Sequence, residues 1–551
     1  MRTRLLYSRI LARLGLVAGV AAVFAGCSEP AVKTLRVGNG ADPQALDPHI
    51  VQGVPEHRII STLLEGLVDT DRRTLEPVPA VASSWEISAG GTVYTFHLRP
   101  EARWSNGDPV TAHDFVYSWR RILTPTLAAD YAYMLHCLKN GKAFNEGKLD
   151  DFSWVGAKAL DDRTLEVTLE APNPSFLSMQ TYTAWYPVHQ PTVEAFGRLD
   201  QRDNRWTRPG NFVGNGAFVL ERWVPNNVIE VVKNDLYWNA GSVRLPRIQF
   251  YPIDNLLTEE RSFRTGQLHL TETIPLTKVP VYVRERPDLI RIDPYLGTYF
   301  YRINVTRAPF TDVRVRRAFA LALDREAIAD RVMTGGQKPA RTFCVPEAVG
   351  YACPVGIDYD VDEARRLLVE AGYPDGKGLP PIEILFNTNE AHKTIAEAVQ
   401  RMWKENLDAD VTLANQDWKV YLASQNTLNY QVSRASWIGD YNDPINFLDC
   451  FITDGGNNRT GWSSAEYDDL IHRASREPDP QARLELFAKA EAILLEEAPI
   501  IPIYHYTRTF LLSPDVIGWQ SNILGYISFK HLDLRDSALE PRPVIRLKGR
   551  S

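Results

Sequence analysis

The sequence predicts an α/β protein of several lobes, and three observations carry that prediction. Alternating apolar and polar residues mark out strands over the first 300 positions, helix and strand patterns take turns from about residue 310, and the chain runs to 551 residues. At roughly 100–200 residues per domain, that length supplies two to four domains, each able to bury a core. Hydrophobic residues make up 44% and charged residues 23%, which excludes a disordered chain, a coiled coil, a collagen and an integral membrane protein. The 61 basic and 68 acidic residues leave a net charge of −7, which argues against a nucleic-acid partner, whose phosphates call for a basic face.

The amino terminus reads as an address. Arg2, Arg4, Arg9 and Arg13 precede an uncharged run over 14–26, shorter than the roughly 18 residues needed to span a bilayer. Phe24-Ala25-Gly26-Cys27-Ser28 places small residues before a cysteine, the pattern cut by a lipoprotein signal peptidase. Residues 1–26 are therefore expected to be a signal peptide, Cys27 the lipidated first residue, and 27–34 a tether. Ordinary secretion with cleavage near Ala25 is the alternative. Removing 1–26 takes away four Arg and no acid, which moves the net charge from −7 to −11.

Export permits disulfides. Cys344 and Cys353 bracket a loop containing Pro346, Gly350 and Pro354 and are expected to bridge, while Cys137 and Cys450 either pair or stay free. The spacing does not match a zinc site, and no metal is expected.

The elements follow in order. Leu35-Arg36-Val37, Val93 to Leu98, Leu165 with Val167 and Leu169, and Ile229 with Val231 alternate as strands, and Asn-Gly pairs at 106–107 and 215–216 mark loops. Asp360 with Glu363 has capping-box spacing before a helix whose apolar side is Leu367, Leu368 and Ala371, and Gly372 with Pro374 stops it. A second helix carries Ile395, Val399, Met402 and Trp403 on one face and leads into a strand at Val411 to Leu413. Leu484, Leu486, Phe487, Ala490 and Leu494 make another helix, followed by an apolar strand from Pro499 to Tyr504.

Catalytic patterns are missing. There is no Walker A loop, GxGxxG after a strand, HExxH or GxSxG, and no cofactor is expected. His49, His57, His97 and His113 have no metal-binding spacing and read as solvated or core histidines.

From about Leu35 to Phe529 the chain resembles the extracytoplasmic oligopeptide-binding proteins of bacterial ABC importers, the large peptide/nickel class of solute receptors (family 5). The resemblance lies in Leu64-Glu65-Gly66-Leu67, Pro77, Ala80, Ser84-Trp85 and Thr95 to Arg99, then in Trp104-Ser105-Asn106-Gly107 and Val110 to Val116. Gly214 to Phe218 and Phe310 to Arg316 extend it. Gly53-Val54-Pro55-Glu56 after Leu46-Asp47-Pro48-His49, and Arg434 to Pro444, narrow it to peptide receptors.

The resemblance implies a bilobal periplasmic-binding-protein-like fold (type II, large cluster) with an extra inserted domain and hinge-connected lobes. Domain I is expected at 35–69, 192–295 and 509–551, domain II at 70–191 and domain III at 296–508. It implies that Asp440 takes the peptide's α-ammonium, and that Val54, Pro55 and Glu56 on one side and Ser436, Trp437 and Ile438 on the other flank the peptide as strands. Arg434 and His392 match positions near bound carboxyl termini, Trp418 matches a pocket wall, and Tyr131 is counted in the same set. The sequence departs from the family at Gly297 and Ile438, where an interlobe cysteine pair would align, at Gln425, where a basic residue is expected, and at 271–274 (Thr-Glu-Thr-Ile).

The residue chemistry suits that role on its own terms. An extended peptide carries N–H and C=O groups that strand edges satisfy whatever its side chains, and its ammonium needs an acid held by a turn. Other readings of single residues stay open. Asp440 could be only a turn residue, Trp437 and Trp418 core aromatics, His392 a solvated residue, and Arg434 a partner of Glu56.

The expected function is capture of short peptides and delivery to an inner-membrane permease driven by cytoplasmic ATPases, by a monomer in the periplasm anchored only through Cys27. Rivals are a receptor restricted to murein-derived peptides and, in a different class, an exported peptide hydrolase or holdase chaperone.

Overall fold

Three sheets carry the architecture of the computed structural model, which describes residues 32–536 apart from 52, 203, 334 and 347–350, together with 545. The expected signal peptide and Cys27 lie outside the described residues.

In the first sheet, Thr34–Gly38 pairs in parallel with Arg247–Tyr251, and Val228–Lys233 and Phe218–Val224 follow antiparallel. The second is antiparallel, in the order Ala82–Ile87, Val93–Leu98, Thr164–Thr168, Ala157–Ala159. These two share one core, with Trp104, Trp119 and Trp206 fully buried. The third is a six-stranded mixed sheet in the order Lys338–Pro339, Ile500–Leu511, Ile290–Ile303, Val432–Ile438, Ile382–Asn387, Val411–Gln416.

The third sheet is buried on both faces. Tyr299, Tyr301 and Ile303 pack into one core with Trp403, while Phe300 enters a second core with Phe343, Phe447 and Phe487. That is the two-residue alternation of a strand covered on both sides.

Two lobes result, and Ile290–Ile303 and Ile500–Leu511 run through both. They pair from Ile290↔Leu511 to Pro294↔Thr507 and again from Thr298↔His505 to Arg302↔Ile500, with a register shift between Pro294 and Thr298. Below the shift, Ile290 and Leu511 pack with Phe263 and Tyr282, and above it the strands enter the cores of the third sheet.

Most expected elements stand where the patterns put them. Asp360 caps Val361–Glu370 by accepting the Glu363 N–H, but Glu363 gives its own carboxylate to Arg366 instead of closing the box. Gly372, at φ +93°, ends that helix. Glu390–Leu407 buries Ile395, Val399 and Trp403, and Pro480–Glu497 buries Leu486, Phe487, Ala490 and Leu494.

Three corrections are needed. The strand expected to end at Tyr504 continues to Leu511, because its second half stays paired with Ile290 to Pro294 and its end packs into the first lobe. The strand-rich first half also contains the helices Val54–Leu63 and Ala112–Leu123. The second is closed by a Thr111–Asp114 capping box and buries Phe115, Trp119 and Ile122.

The third correction concerns the cysteines. Cys137, Cys344, Cys353 and Cys450 are all free thiols, so the expected Cys344–Cys353 bridge is not formed. The Cys344 Sγ faces the Pro444 carbonyl at 3.9 Å and the Cys353 Sγ faces the Ala488 carbonyl at 3.8 Å. The loop is held by buried Glu491 instead, which accepts the Phe343 and Cys344 N–H groups at 2.7 Å each and the Tyr351 hydroxyl at 2.5 Å.

Candidate functional site

The strand Val432–Ile438 has one satisfied edge and one partly open edge. Along its whole length it pairs with Gly297 to Ile303, but its pairing with Ile382–Asn387 covers only Val432 and Ser433. The Arg434 carbonyl, on that second edge, is taken by the Tyr421 hydroxyl and by the Gln425 amide at 3.0 Å. Backbone groups alternate in direction along a strand, so those of Ser436 and Ile438 also face the second edge, where no strand lies beside them among the described residues.

Beyond Ile438 the chain turns, and the amide of Asn446 fixes the turn. The Asn446 Oδ1 accepts the Asp440 N–H at 3.0 Å and the Trp437 indole N–H at 3.1 Å. The turn aims Asp440 into a cavity of about 480 Å³ between the lobes. The second lobe contributes Trp437, Ile438 and Asp440, and the first contributes Val54, His57, Tyr131 and Tyr182. The first-lobe wall is aromatic, with Tyr182 lying 4.9 Å from Tyr131 and 5.3 Å from His57 between ring centroids.

The electrostatics of this cavity are incomplete in a specific way. The Tyr131 hydroxyl donates to Asp440 Oδ1 at 3.4 Å, while Asp440 Oδ2 is buried without a partner. Burial pushes the carboxyl up to about 7, against the hydrogen bonds from Asn446 and Tyr131. Arg58, which also lines the cavity, is already committed to Glu272 and to Asn39. A desolvated carboxylate facing an apolar, aromatic chamber calls for a cationic donor from outside the chain.

Six positions back along the chain lies a basic subsite. Arg434 is 8% exposed and has no carboxylate partner among the described residues. Its guanidinium donates to Asn387 Oδ1 at 3.4 Å and Tyr506 Oη at 3.2 Å, stacks over Tyr299 at 5.0 Å, and leaves its Nε unpaired. His392 lies 5.6 Å from Tyr299, and burial and the Arg434 charge push its imidazole down to about 3. It is therefore a neutral group with an unpaired buried Nδ1.

The expected residues thus divide. Val54, Tyr131, Trp437, Ile438 and Asp440 line the cavity, and Ser436 lies on the strand edge leading from it. Arg434 and His392 form the second cluster, and His392 is not the solvated residue of the alternative. Trp418 opens the helix Trp418–Asn426, and its side chain lies outside the described atoms.

Val54, Pro55 and Glu56 depart from the expectation. They are the first turn of the helix Val54–Leu63, not a strand, because Pro55 suits the start of a helix and Gly53 supplies the extended residue before it. Glu56 accepts the Gln44 N–H at 2.9 Å and does not pair with Arg434.

The other departures from the family also find their places. Gly297 and Ile438 are direct ladder partners, and a Cβ at Gly297 would stand 2.3 Å from the Ile438 Cδ1, so the glycine makes room for the larger side chain. Gln425 is a buried amide bonded to Tyr421, Ser433 and the Arg434 carbonyl. Glu272, in the 271–274 segment, pairs with Arg58.

Sequence reasoning missed Asn446, His57, Tyr182 and the Tyr299–Tyr504–Tyr506 cluster. Tyrosines at alternating positions 299, 301, 504 and 506 were a legible signal of two strands presenting rings to one face.

Comparison with known proteins agrees with this geometry. A profile described as bacterial extracellular solute-binding proteins, family 5 Middle, matches residues 76–459. The periplasmic oligopeptide-binding protein OppA of Salmonella typhimurium is 39% identical over 496 residues, covering 88% of this chain and 90% of that protein. Haemophilus influenzae OppA in complex with RPPGFSPFR superposes with a TM-score of 0.81 at 36% identity, covering 91% of this chain and 99% of that one. The Escherichia coli murein tripeptide binding protein MppA superposes at 0.82 (35% identity, 91% and 98% covered), but MppA in its unliganded open form at only 0.74 (36%, 91% and 97%). The lobes are thus arranged less like the open form than like the other two structures. On this profile match and these full-length relatives, the chain belongs to the bacterial extracellular solute-binding proteins of family 5.

Proposed function

We propose that this protein is an extracytoplasmic receptor that captures short peptides in extended form between its two lobes and delivers them to an ABC import permease. One observation carries the reading: among the described residues, an open strand edge at Ser436 and Ile438 leads from a buried carboxylate with an unpartnered oxygen, Asp440, to a buried guanidinium with no carboxylate, Arg434. A peptide zwitterion brings the missing cation, the missing anion and the missing strand. The relatives named above, oligopeptide- and murein-peptide-binding proteins, support it.

The finer parts of the reading belong to the same proposal. The body divides into domain I (35–69, 192–295, 509–551), domain II (70–191) and domain III (296–508). The register shift between Pro294 and Thr298 supports hinge bending where the paired strands cross between lobes. The small residues before Cys27 support export and lipid anchoring, with a monomeric body held at the cell envelope. The chain binds and releases without making or breaking a bond.

The deciding experiment is native mass spectrometry of the purified body, followed by denaturing release and sequencing of its cargo. A ladder of intact short peptides with mixed side chains is expected. A single wall-derived peptide would restrict the receptor to murein fragments, and new amino termini generated from added peptides would indicate a hydrolase. Absence of cargo, with no saturable binding of tri- to pentapeptides, would overturn the proposal.

A further inference from the structure

A second polar contact crosses the cleft, away from the open strand edge. Ser175, just before the short helix Phe176–Met179 of the first lobe, donates its hydroxyl to Asp443 Oδ2 at 2.8 Å. Arg483, in the first turn of Pro480–Glu497 in the second lobe, donates to both Asp443 oxygens at 2.8 and 2.9 Å. It also donates to the Ser175 hydroxyl oxygen at 2.9 Å and to the Ala474 carbonyl at 3.1 Å. Ser175, Asp443 and Arg483 are 4%, 7% and 7% exposed, so the contact is dry.

The division of labour within this cluster is informative. Asp443 and Arg483 both belong to the second lobe and neutralise each other there, so charge balance does not require the serine. What Ser175 adds is a charge-assisted bond between the lobes. Asp443 also caps the turn that carries the site, accepting the Ile445 N–H at 3.0 Å, and it lies three residues beyond Asp440.

We propose that the Ser175–Asp443–Arg483 contact is the closure latch of this receptor, and that through Asp443 it couples shutting of the cleft to the placement of Asp440. The three are positioning residues and do not touch the ligand. A bond made only in the closed form shifts the open–closed equilibrium toward closure and holds whatever the cleft contains. The proposal rests on the reading of the cleft as the ligand site, but its first test needs no ligand.

Ser175→Ala removes the interlobe bond and leaves the Asp443–Arg483 pair intact, so the variant folds. Small-angle X-ray scattering of the ligand-free mature body should show a larger radius of gyration for Ser175→Ala than for the parent, with Ser175→Thr restoring the parent value. Stopped-flow release of trialanine should be about tenfold faster in Ser175→Ala with the association rate little changed, the pattern of a lost closed-state contact. Equal radii for parent and Ser175→Ala in the ligand-free state would overturn the latch, as would equal release rates. Failure of trialanine to bind any of the three proteins would overturn the peptide reading, while the scattering would still decide the latch.

Discussion

Tyr131 and Asp440 meet across the cleft, one from each lobe, with the phenol donating to Oδ1 at 3.4 Å and Oδ2 left buried and unpartnered. The carboxylate is thus only half satisfied by the described residues. Asp440→Asn removes the charge and keeps the shape. We expect it to weaken binding of a free-amine tripeptide by about 2–5 kcal/mol, measured by isothermal titration calorimetry. N-acetylated peptide, lacking the ammonium, should bind parent and variant equally poorly.

The same carboxyl sets a pH dependence. In the ligand-free fold it is pushed up to about 7 by burial, and Asp449 is also pushed up to about 7, by burial and by Asp440 and Asp443. An unfolded Asp titrates near pH ~4, so the folded state takes up protons between about pH 4 and 7. The stability contribution is therefore full below about pH 4 and is lost as pH rises through 7. Binding runs the other way, because the ammonium needs the carboxylate. Affinity should fall below pH 7, approaching tenfold per unit, in titrations at pH 5 to 8. Thermal melts at pH 8 should show ligand-free Asp440→Asn more stable than the parent.

Arg434 should behave as the donor to the peptide's carboxylate terminus. Its guanidinium is buried with, among the described residues, the neutral partners Asn387 and Tyr506 and the face of Tyr299. Arg434→Met should cost short peptides about 2–5 kcal/mol of affinity. Amidating the peptide's carboxyl terminus should weaken binding to the parent by a similar amount and cost little further in the variant. Equal amidation penalties in both proteins would remove Arg434 from the site.

Asp47 and Arg121 form a buried pair that supports the first lobe without touching the cavity. Arg121 is fully buried, donates to both Asp47 oxygens at 2.9 and 2.5 Å, and reaches the Leu199 carbonyl at 2.9 Å. Asp47→Ala leaves that guanidinium uncompensated and should cost about 3–5 kcal/mol in urea unfolding. Peptide affinity of the folded fraction should stay unchanged. Although burial opposes ionisation, the Arg121 charge holds the Asp47 carboxyl below its usual range. Its stabilising contribution is therefore present above about pH 4 and is lost as pH falls through that lowered value.

The four body thiols should be unreactive until the chain unfolds. Burial pushes Cys137 up to about 12 and Cys353 up to about 11, and Cys344 and Cys450 are buried outright. Thiolate is the reactive form, so a thiol assay on the native body should read near zero and four equivalents should appear in denaturant. A count of two in denaturant would show one bridge, and peptide mapping would tell Cys344–Cys353 from Cys137–Cys450.

Local patterns reached a good deal of this molecule because they concern residues close in sequence. Alternation at Val93 to Leu98 sufficed to place that strand, and Asp360 with Gly372 sufficed to bound its helix. The helix Ala112–Leu123 was hidden behind neighbouring strands, although Thr111 and Asp114 carried its signal. At Val54 to Glu56 the family resemblance suggested a strand, while Pro55 favoured the first turn of a helix.

The sequence by itself determined the fold class and the family, through motifs such as Arg434 to Pro444 that carry several candidate residues in one run. Only the tertiary structure decided how those residues work. It ended the strand pairing at Ser433 to leave an edge open, brought Tyr131 from over 300 positions away onto Asp440, gave Asn446 the turn to hold, and turned Cys344 and Cys353 toward different carbonyls. The physical reason is that periodicity and capping depend on neighbours along the chain. Desolvation, unpaired donors and interlobe contacts depend on which distant segments share a cavity, and that is set by how the lobes close.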